Sequence, residues 1–425
     1  MPHFMTLIDA NNFYVSCEQT VDPSLIKRPV IILSNNDGCV IARSPEARGL
    51  GIHMGSPYFK IKSRVIQLGV VIKSSNYELY GDISQRLMTL LGKYCEELEI
   101  YSIDEAFASI NRPENHDILS WAKKLRALIY KCIGIPIAIG LGSNKVQAKL
   151  ANYLAKNTPS SAGVFNLPKG QEQDNWLEKI EIEDVWGIGR KTSRWCRLRG
   201  VNTALQLKYM PSNELRMQYG VTAIRIQREL QGDICLPLTT KTTQRKSICV
   251  SRSFSRPIDK IEELRQAICT YIVLASQKLR DEKLETSSIS IFANNNPYSK
   301  IYRSQTATKE LGIASNDTFD LIKEALALTG EIFNPSYRLT KAGVIMNRLT
   351  SIDCIQYNLI ISQDKKKTAK RKQLLKTIDK LNRIYGKGTI IWASCGIKPK
   401  WEMSRKNLSN MATTRITDIP TVKAG

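Results

Sequence analysis

The chain has 425 residues, 62 Lys+Arg against 39 Asp+Glu, a net charge of +23 and 42% hydrophobic residues. At about 150 residues per domain this suggests roughly three domains with real cores, and so large a positive excess points to a polyanionic partner, most often nucleic acid. Ten scattered cysteines with no C-x-x-C pair, and only His3, His53 and His116, argue against a zinc finger and for thiols in a reducing compartment. The N-terminus lacks a signal-peptide pattern, and no apolar run of about 18 residues suggests a membrane span, so a cytoplasmic protein is expected.

In chain order, "FMTLID" (4–9) reads as a buried strand ending in Asp9, and "PVIILS" (29–34) as another. Residues 37–56 read as a strand leading into a short helix. Leu79, Ile83, Leu87, Leu90 and Leu91 recur at helical spacing in 76–95. "LEIYSIDEAFASI" (98–110) is a hairpin region, "WAKKLRALIYKCI" (121–133) an amphipathic helix, "IPIAIGLG" (135–142) a strand and 143–156 a helix. This mixture predicts an α+β domain around a central sheet.

In "DVWGIGRKTSRWCRLRGV" (184–201), two short helical pieces flank Gly187-Ile188-Gly189, the pattern of a helix-hairpin-helix. Glycines let such a hairpin approach a phosphate closely, and the N–H groups opening the second helix attract an anion. Arg190, Lys191, Arg194 and Arg197 add positive charge. From Ser247 the order becomes β-α-β-β-α-β, with strands over 247–254, 286–294, 301–309 and 341–347 and one sheet face left open. One helix stripe carries Ile261, Leu264, Ile268, Ile272, Ala275 and Leu279, and the other Phe319, Ile322, Leu326 and Phe333. After about residue 350 the globular pattern fades, and "KKKTAKRK" (365–372), with six basic residues in eight, reads as a solvated linker.

The acids pose a question. Successive strand residues face opposite ways, so in "YSIDEAF" one of Asp104 and Glu105 should meet the core, where an unpaired carboxylate is costly. Either the strand bends or something positive meets them. Together with Asp9 they would make an oxygen-rich site for hard divalent cations. Two such ions about 4 Å apart can activate a 3′-hydroxyl and stabilise leaving pyrophosphate.

"LIDANNFYVSCE" and "YSIDEAF" resemble the Y-family translesion DNA polymerases. "NNDGCVIARSPEARGLGIHMGSPYFK", "SSNYELYGDIS", "DVWGIGRK" and the tail "GKGTIIWASCGIKPKWEMSRKNLS" narrow the resemblance to the UmuC-type catalytic subunit of bacterial error-prone DNA polymerase V. It runs over nearly the whole chain. The resemblance implies a multidomain right-hand polymerase: palm over 1–165 with fingers inserted at about 20–73, and a thumb over 166–240 holding the helix-hairpin-helix. A βαββαβ little finger would follow over 243–350 and a basic tail over 351–425.

The resemblance also implies roles. Asp9, Asp104 and Glu105 match the ligands of two Mg2+ ions, with Ala10 offering its carbonyl. Tyr14 matches the steric gate against a ribose 2′-OH, and Phe13 flanks the same sugar. Arg48 and Lys156 match triphosphate contacts, although Pro45 stands where many relatives have a tyrosine. Gly187, Gly189, Arg190 and Lys191 would grip the DNA backbone. "IQYNLI" (355–360) resembles a sliding-clamp peptide with Gln356, Leu359 and Ile360 as anchors, where Tyr357 and Ile360 depart from the usual form.

Primer-template DNA and dNTP are the implied substrates. A processed UmuD-type dimer, a RecA filament and the clamp are the implied partners in SOS translesion synthesis. Two other readings remain open: another two-metal enzyme on a palm fold, such as a nucleotidyl cyclase, and a catalytically inactive DNA-binding paralogue that regulates repair.

Overall fold

The computed structural model describes residues 3–111, 117–240, 244–353, 365–386, 388–397, 399–410, 413 and 418. It divides into two compact units, one made of Met1–Ser34, Gly38–Thr242 and Asn407–Gly425, the other of Asn35–Asp37 and Thr243–Lys406.

The first unit begins with β1 (His3–Ala10) and α1 (Phe13–Val21), then β2 (Val30–Leu33), β3 (Val40–Arg43), α2 (Pro45–Gly49), α3 (Tyr58–Gln67) and β4 (Val71–Ser74). There follow α4 (Tyr77–Leu91), β5 (Glu97–Ile100), β6 (Glu105–Asn111), α5 (Ile118–Ile133), β7 (Ile137–Gly142), α6 (Lys145–Asn157) and β8 (Val164–Asn166). A helical stretch closes it: α7 (Gln171–Leu177), α8 (Arg190–Arg197), α9 (Ala204–Tyr209) and α10 (Ser212–Gln231).

Five strands form one sheet in the order β5-β6-β1-β7-β8. Because strand side chains alternate, Met5 and Leu7 face one side and Ile8 and Ala10 the other. The Ile8 side is covered by α1, α4 and α5 through Phe13, Val15, Leu79, Leu87, Leu125 and Ile129. The Leu7 side packs with Phe107 and Ala148 under α6. That helix lies unusually close, because Gly140 and Gly142 of β7 have no side chains to hold it off. A Cβ on Gly140 would stand 2.2 Å from the Asn152 amide nitrogen, and one on Gly142 would stand 2.7 Å from that of Ala148. α5 starts three residues earlier than its apolar pattern suggests, since the Asp117 side chain caps it by accepting from Leu119 N–H.

Strands β3-β2-β4 make a separate small sheet with its own core of Ile31, Leu33, Val40, Ala47, Ile52, Val65 and Val70. The far face of α6 (Val146, Leu150, Leu154) joins Leu177, Ile188, Leu207, Ile226 and Leu230 in a third core. The hairpin before α8 is opened by a single 3-10 turn, Ile182–Asp184, so its first helical piece is shorter than its second. Gly187 there has φ +87, and a Cβ would lie 2.4 Å from Ile226 Cδ1, so both conformation and space demand glycine.

The second unit runs β9 (Ser247–Ile258), α11 (Ile261–Asp281), β10 (Leu284–Asn295), β11 (Ser304–Ser315), α12 (Thr318–Ile332), β12 (Leu339–Ser351) and α13 (Lys365–Ile384). Its antiparallel sheet has the order β11-β10-β12-β9. This is the expected βαββαβ order. α11 and α12 cover one face, where Ile289, Ile291, Val344 and Met346 are buried. The opposite face bears Ser290, Thr308 and Asn347, which are joined by hydrogen bonds.

The linker reading of 365–372 is overturned: those residues open α13. Within the run Lys370 and Lys372 are exposed, as a solvated run would be, while Arg371 meets two acids. Arg371 pairs with Asp317 and Asp320, Asp379 of α13 with Arg280 at 2.7 Å, and Arg383 with Asp281 at 2.8 Å. Leu375 is buried, and farther along Cys395 and Trp401 enter the same core as α11. "IQYNLI", with Gln356, Leu359 and Ile360, lies outside the described residues.

Candidate active site

The question raised by "YSIDEAF" has a geometric answer. Tyr101 to Asp104 form the turn between β5 and β6, and Glu105 is the first residue of β6. In the turn, Ser102 donates to Asp104 Oδ1 at 2.6 Å and accepts from the amides of Asp104 and Glu105. Asp104 is also tied to β1, since its carbonyl accepts from Ala10 N–H at 2.9 Å. Glu105 stands opposite Asp9 in the β1–β6 register. Both therefore face α6, two residues along from Phe107 and Leu7.

What meets them is a row of lysines. Lys145, Lys149, Asn152 and Lys156 recur at four, three and four residues, so they share one side of α6. Lys145 Nζ lies 2.6 Å from Glu99, Lys149 Nζ 2.8 Å from Glu105 and Lys156 Nζ 2.6 Å from Asp9. Asn152 donates to the Ala138 carbonyl at 2.9 Å, pinning the helix to the sheet between them. The Lys149 ammonium lies 4.8 Å from the Tyr101 ring and 5.8 Å from those of Phe107 and Trp186, an aromatic surround that favours a cation.

Burial pushes the Asp9 carboxyl up to about 7, against the pull of Lys156, and the neighbouring Glu105 carboxyl adds to the rise. Burial acts on Glu105 the same way, but the hydrogen bond from Asp9 and the Lys149 ammonium outweigh it and hold Glu105 below its ordinary value. Among the described residues, no three metal-ligating side chains stand close enough to hold an ion as they are. The donors nonetheless suit one. Asp9 and Glu105 face each other as hard oxygen donors, the kind that Mg2+ takes, and the ammonium against each marks the place where a cation would balance their charge. The residues thus fit a divalent cation that would take the lysines' place beside these carboxylates.

Asp9, Ala10, Phe13, Tyr14, Arg48, Asp104 and Lys156 line one cleft of about 420 Å³, with Asn12, Arg43, Ser44, Pro45 and Met54. Pro45 opens α2, with the Ser44 hydroxyl capping it, so proline here starts the helix that carries Arg48. Tyr14 is half-buried and stacks on the ring of Tyr80 at 4.5 Å and 18°. Glu105 lies behind this cleft, against α6. Gly187, Gly189, Arg190 and Lys191 are exposed on the hairpin and are not part of the cleft lining. Arg197 is engaged by Glu181 and Glu183. Sequence reasoning missed Lys149, whose signal was its place one helical turn from Lys145 and two from Lys156. It also missed Tyr80 and Arg43.

No described helix is long and apolar enough to cross a membrane. The impB/mucB/samB family matches residues 8–153, its C-terminal domain matches 245–359, and a domain of unknown function matches 372–422. Protein UmuC of Salmonella typhimurium is 39% identical over 98% of this chain and 99% of its own length, and Protein SamB of the same organism 36% over 98% and 99%. DNA polymerase IV of Dehalococcoides mccartyi is 28% identical over 77% of this chain and 82% of its own. Among solved structures, a chimeric Y-family DNA polymerase superposes with a TM-score of 0.62 at 20% identity, covering 82% of this chain and 99% of that one. The ternary insertion complex of Dbh DNA polymerase gives 0.56 at 19%, covering 82% and 99%. The chain has the Y-family DNA polymerase fold and belongs to the impB/mucB/samB family, among its UmuC-type members.

Proposed function

We propose that this chain is a template-directed, error-prone DNA polymerase that carries out translesion synthesis by two-metal nucleotidyl transfer. The observation that carries the proposal is the cleft itself: Asp9 and Asp104, with Glu105 behind them, converge at one end of the five-stranded sheet beside Lys156, Arg48 and Tyr14. Two Mg2+ ions, when bound, would make the 3′-hydroxyl a better nucleophile and stabilise the departing pyrophosphate. Asp9, Asp104 and Glu105 would hold them, with the Ala10 carbonyl.

Lys156, freed from Asp9, and Arg48 would bind the triphosphate and set its angle of approach. Both are cationic donors on rigid helices, so they orient without reorganising. Tyr14, backed by Phe13, would close the space where a ribose 2′-OH would lie. On the hairpin, the amides after Gly187 and Gly189 with Arg190 and Lys191 would hold the DNA backbone without reading bases. The UmuC-type resemblance extends the proposal to a cytoplasmic role in the SOS response, with a processed UmuD-type dimer, a RecA filament and, through Gln356, Leu359 and Ile360, the sliding clamp.

Primer extension tests the reading. Asp104→Asn keeps shape and removes one ligand charge. It should abolish extension while leaving affinity for primer-template DNA within about threefold, since backbone contacts elsewhere supply that affinity. Extension near the wild-type rate would refute the assignment.

A further inference from the structure

Residues 407–410 belong to the first unit, although the chain just before them belongs to the second. Their contacts are polar and close. Ser74 N–H donates to the Asn407 carbonyl and Asn407 N–H to the Ser74 hydroxyl, both at 2.9 Å. Asn76, which caps α4 by accepting from Leu79 N–H, donates its amide to the Ser409 hydroxyl at 3.0 Å. Ser409 in turn donates to Glu18 Oε1 at 3.1 Å. The Tyr80 hydroxyl donates to that same oxygen at 2.8 Å. Ser74, Asn76, Glu18 and Tyr80 are all at most 1% exposed. Buried polar groups must find partners, and the Ser409 hydroxyl serves one as acceptor and another as donor.

The chain of contacts ends in the nucleotide cleft. Tyr80 has its hydroxyl fixed by Glu18 and its ring stacked on Tyr14. Tyr14 therefore takes its place from a residue that the C-terminal segment helps to hold. A filter that acts by clash works only if it cannot yield, and a shift of about 1 Å is enough to spoil such a site.

We propose that residues 407–410 brace Tyr14 through Ser409, Glu18 and Tyr80, and so set how strictly the cleft excludes ribonucleotides. This gives part of the 372–422 region a task in substrate selection and rests on the reading of Tyr14 as the sugar filter. Ser409 and Tyr80 are positioning residues here.

The test compares dNTP with rNTP insertion by the full-length chain, as the ratio of kcat/KM values. Both substrates meet the same preparation, so any loss of folded protein cancels. Ser409→Ala should lower the ratio roughly fivefold, as loss of a hydrogen bond to a buried carboxylate would. Tyr80→Phe should act in the same direction. Ser409→Thr, which keeps the hydroxyl, should stay near wild type, and Tyr14→Ala should lower the ratio further than any of them. If Tyr14→Ala lowers the ratio and Ser409→Ala does not, the brace is wrong and the filter stands. If Tyr14→Ala leaves it unchanged, the filter is wrong and the brace falls with it. Amide hydrogen exchange reads the brace without catalysis: Ser409→Ala should speed exchange in α1 and α4 and leave α11 as it was. Unchanged exchange there would also overturn the proposal.

Discussion

The two faces of the five-stranded sheet bury carboxylates in opposite ways. Under α6, each acid has an ammonium within hydrogen-bond reach: Glu99 with Lys145, Glu105 with Lys149, Asp9 with Lys156. In the helical layer over the other face, Glu18 is held by the hydroxyls of Tyr80 and Ser409. The first arrangement balances charge with charge, so a cation that enters can take the lysines' place. The second balances charge with neutral donors and fixes a shape. In the function proposed above, the first would serve as a place for metal and phosphate and the second as a wall for the sugar.

The contrast breaks most sharply through α6, because the ionic face depends on how close that helix lies. Gly140→Ala would drive a Cβ into the backbone of Asn152 and Ala148, at 2.2 and 2.4 Å. Backbone cannot swing aside as a side-chain tip can, so the loss of stability should be about 3 kcal/mol or more. Gly81, within α4 in the layer over the opposite face, has nothing within 4 Å of a Cβ. Gly81→Ala should be neutral or stabilise by about 0.5–1 kcal/mol, since alanine is the better helix former. Urea unfolding of both variants measures this, and equal effects would mean that α6 does not sit as close as the lysine row requires.

Lys149→Met sharpens the same comparison at lower cost. It keeps length and apolar contact with Tyr101, Phe107 and Trp186 but leaves Glu105 without its ammonium. Breaking a fully buried pair costs about 3–5 kcal/mol, and this one is partly solvated, so about 1–3 kcal/mol is expected. If Glu105 is a metal ligand, Mg2+ should replace the missing charge. The drop in Tm should then be larger in chelator than in magnesium. The same drop in both would place the ion away from Glu105.

Much of this was legible in the sequence. A first strand carrying Asp9 at its end, one residue short of where β1 stops, the hairpin holding Asp104 and Glu105, the glycine hairpin at 187–189 and the βαββαβ order follow from local periodicity and turn residues. The motifs carried the family, and the comparisons bear it out. What stayed hidden is long-range. Lys149 reads as one more solvated lysine until β6 brings Glu105 beneath it. Gly140 and Gly142 read as strand glycines until α6 lies across them. The run at 365–372 reads as linker because the acids that meet its Arg371, Asp317 and Asp320, lie some fifty residues away at the start of α12. Ser409 lies 391 residues from Glu18, and no local pattern announces that contact.

The smallest expected effect belongs to Glu18. Burial raises its pKa, and the hydrogen bonds from Tyr80 and Ser409 and the charge of Lys73 offset this only in part, with Asp22 adding to the rise. The sign follows by linkage. In acid, both folded and unfolded chains carry the proton, and the neutral carboxyl contributes its full stability. As pH climbs past the ordinary carboxylate value, the unfolded chain ionises first and stability declines until folded Glu18 ionises too. Glu18→Gln does not titrate, yet its carbonyl oxygen can accept from both hydroxyls. The difference in unfolding free energy, wild type minus Glu18→Gln, should therefore fall with rising pH above the ordinary carboxylate value, by no more than about 1.4 kcal/mol per pH unit, and then level off. A difference that rises with pH instead would mean that Glu18 is matched by a cation after all, and that the two faces of the sheet hold their acids in the same way.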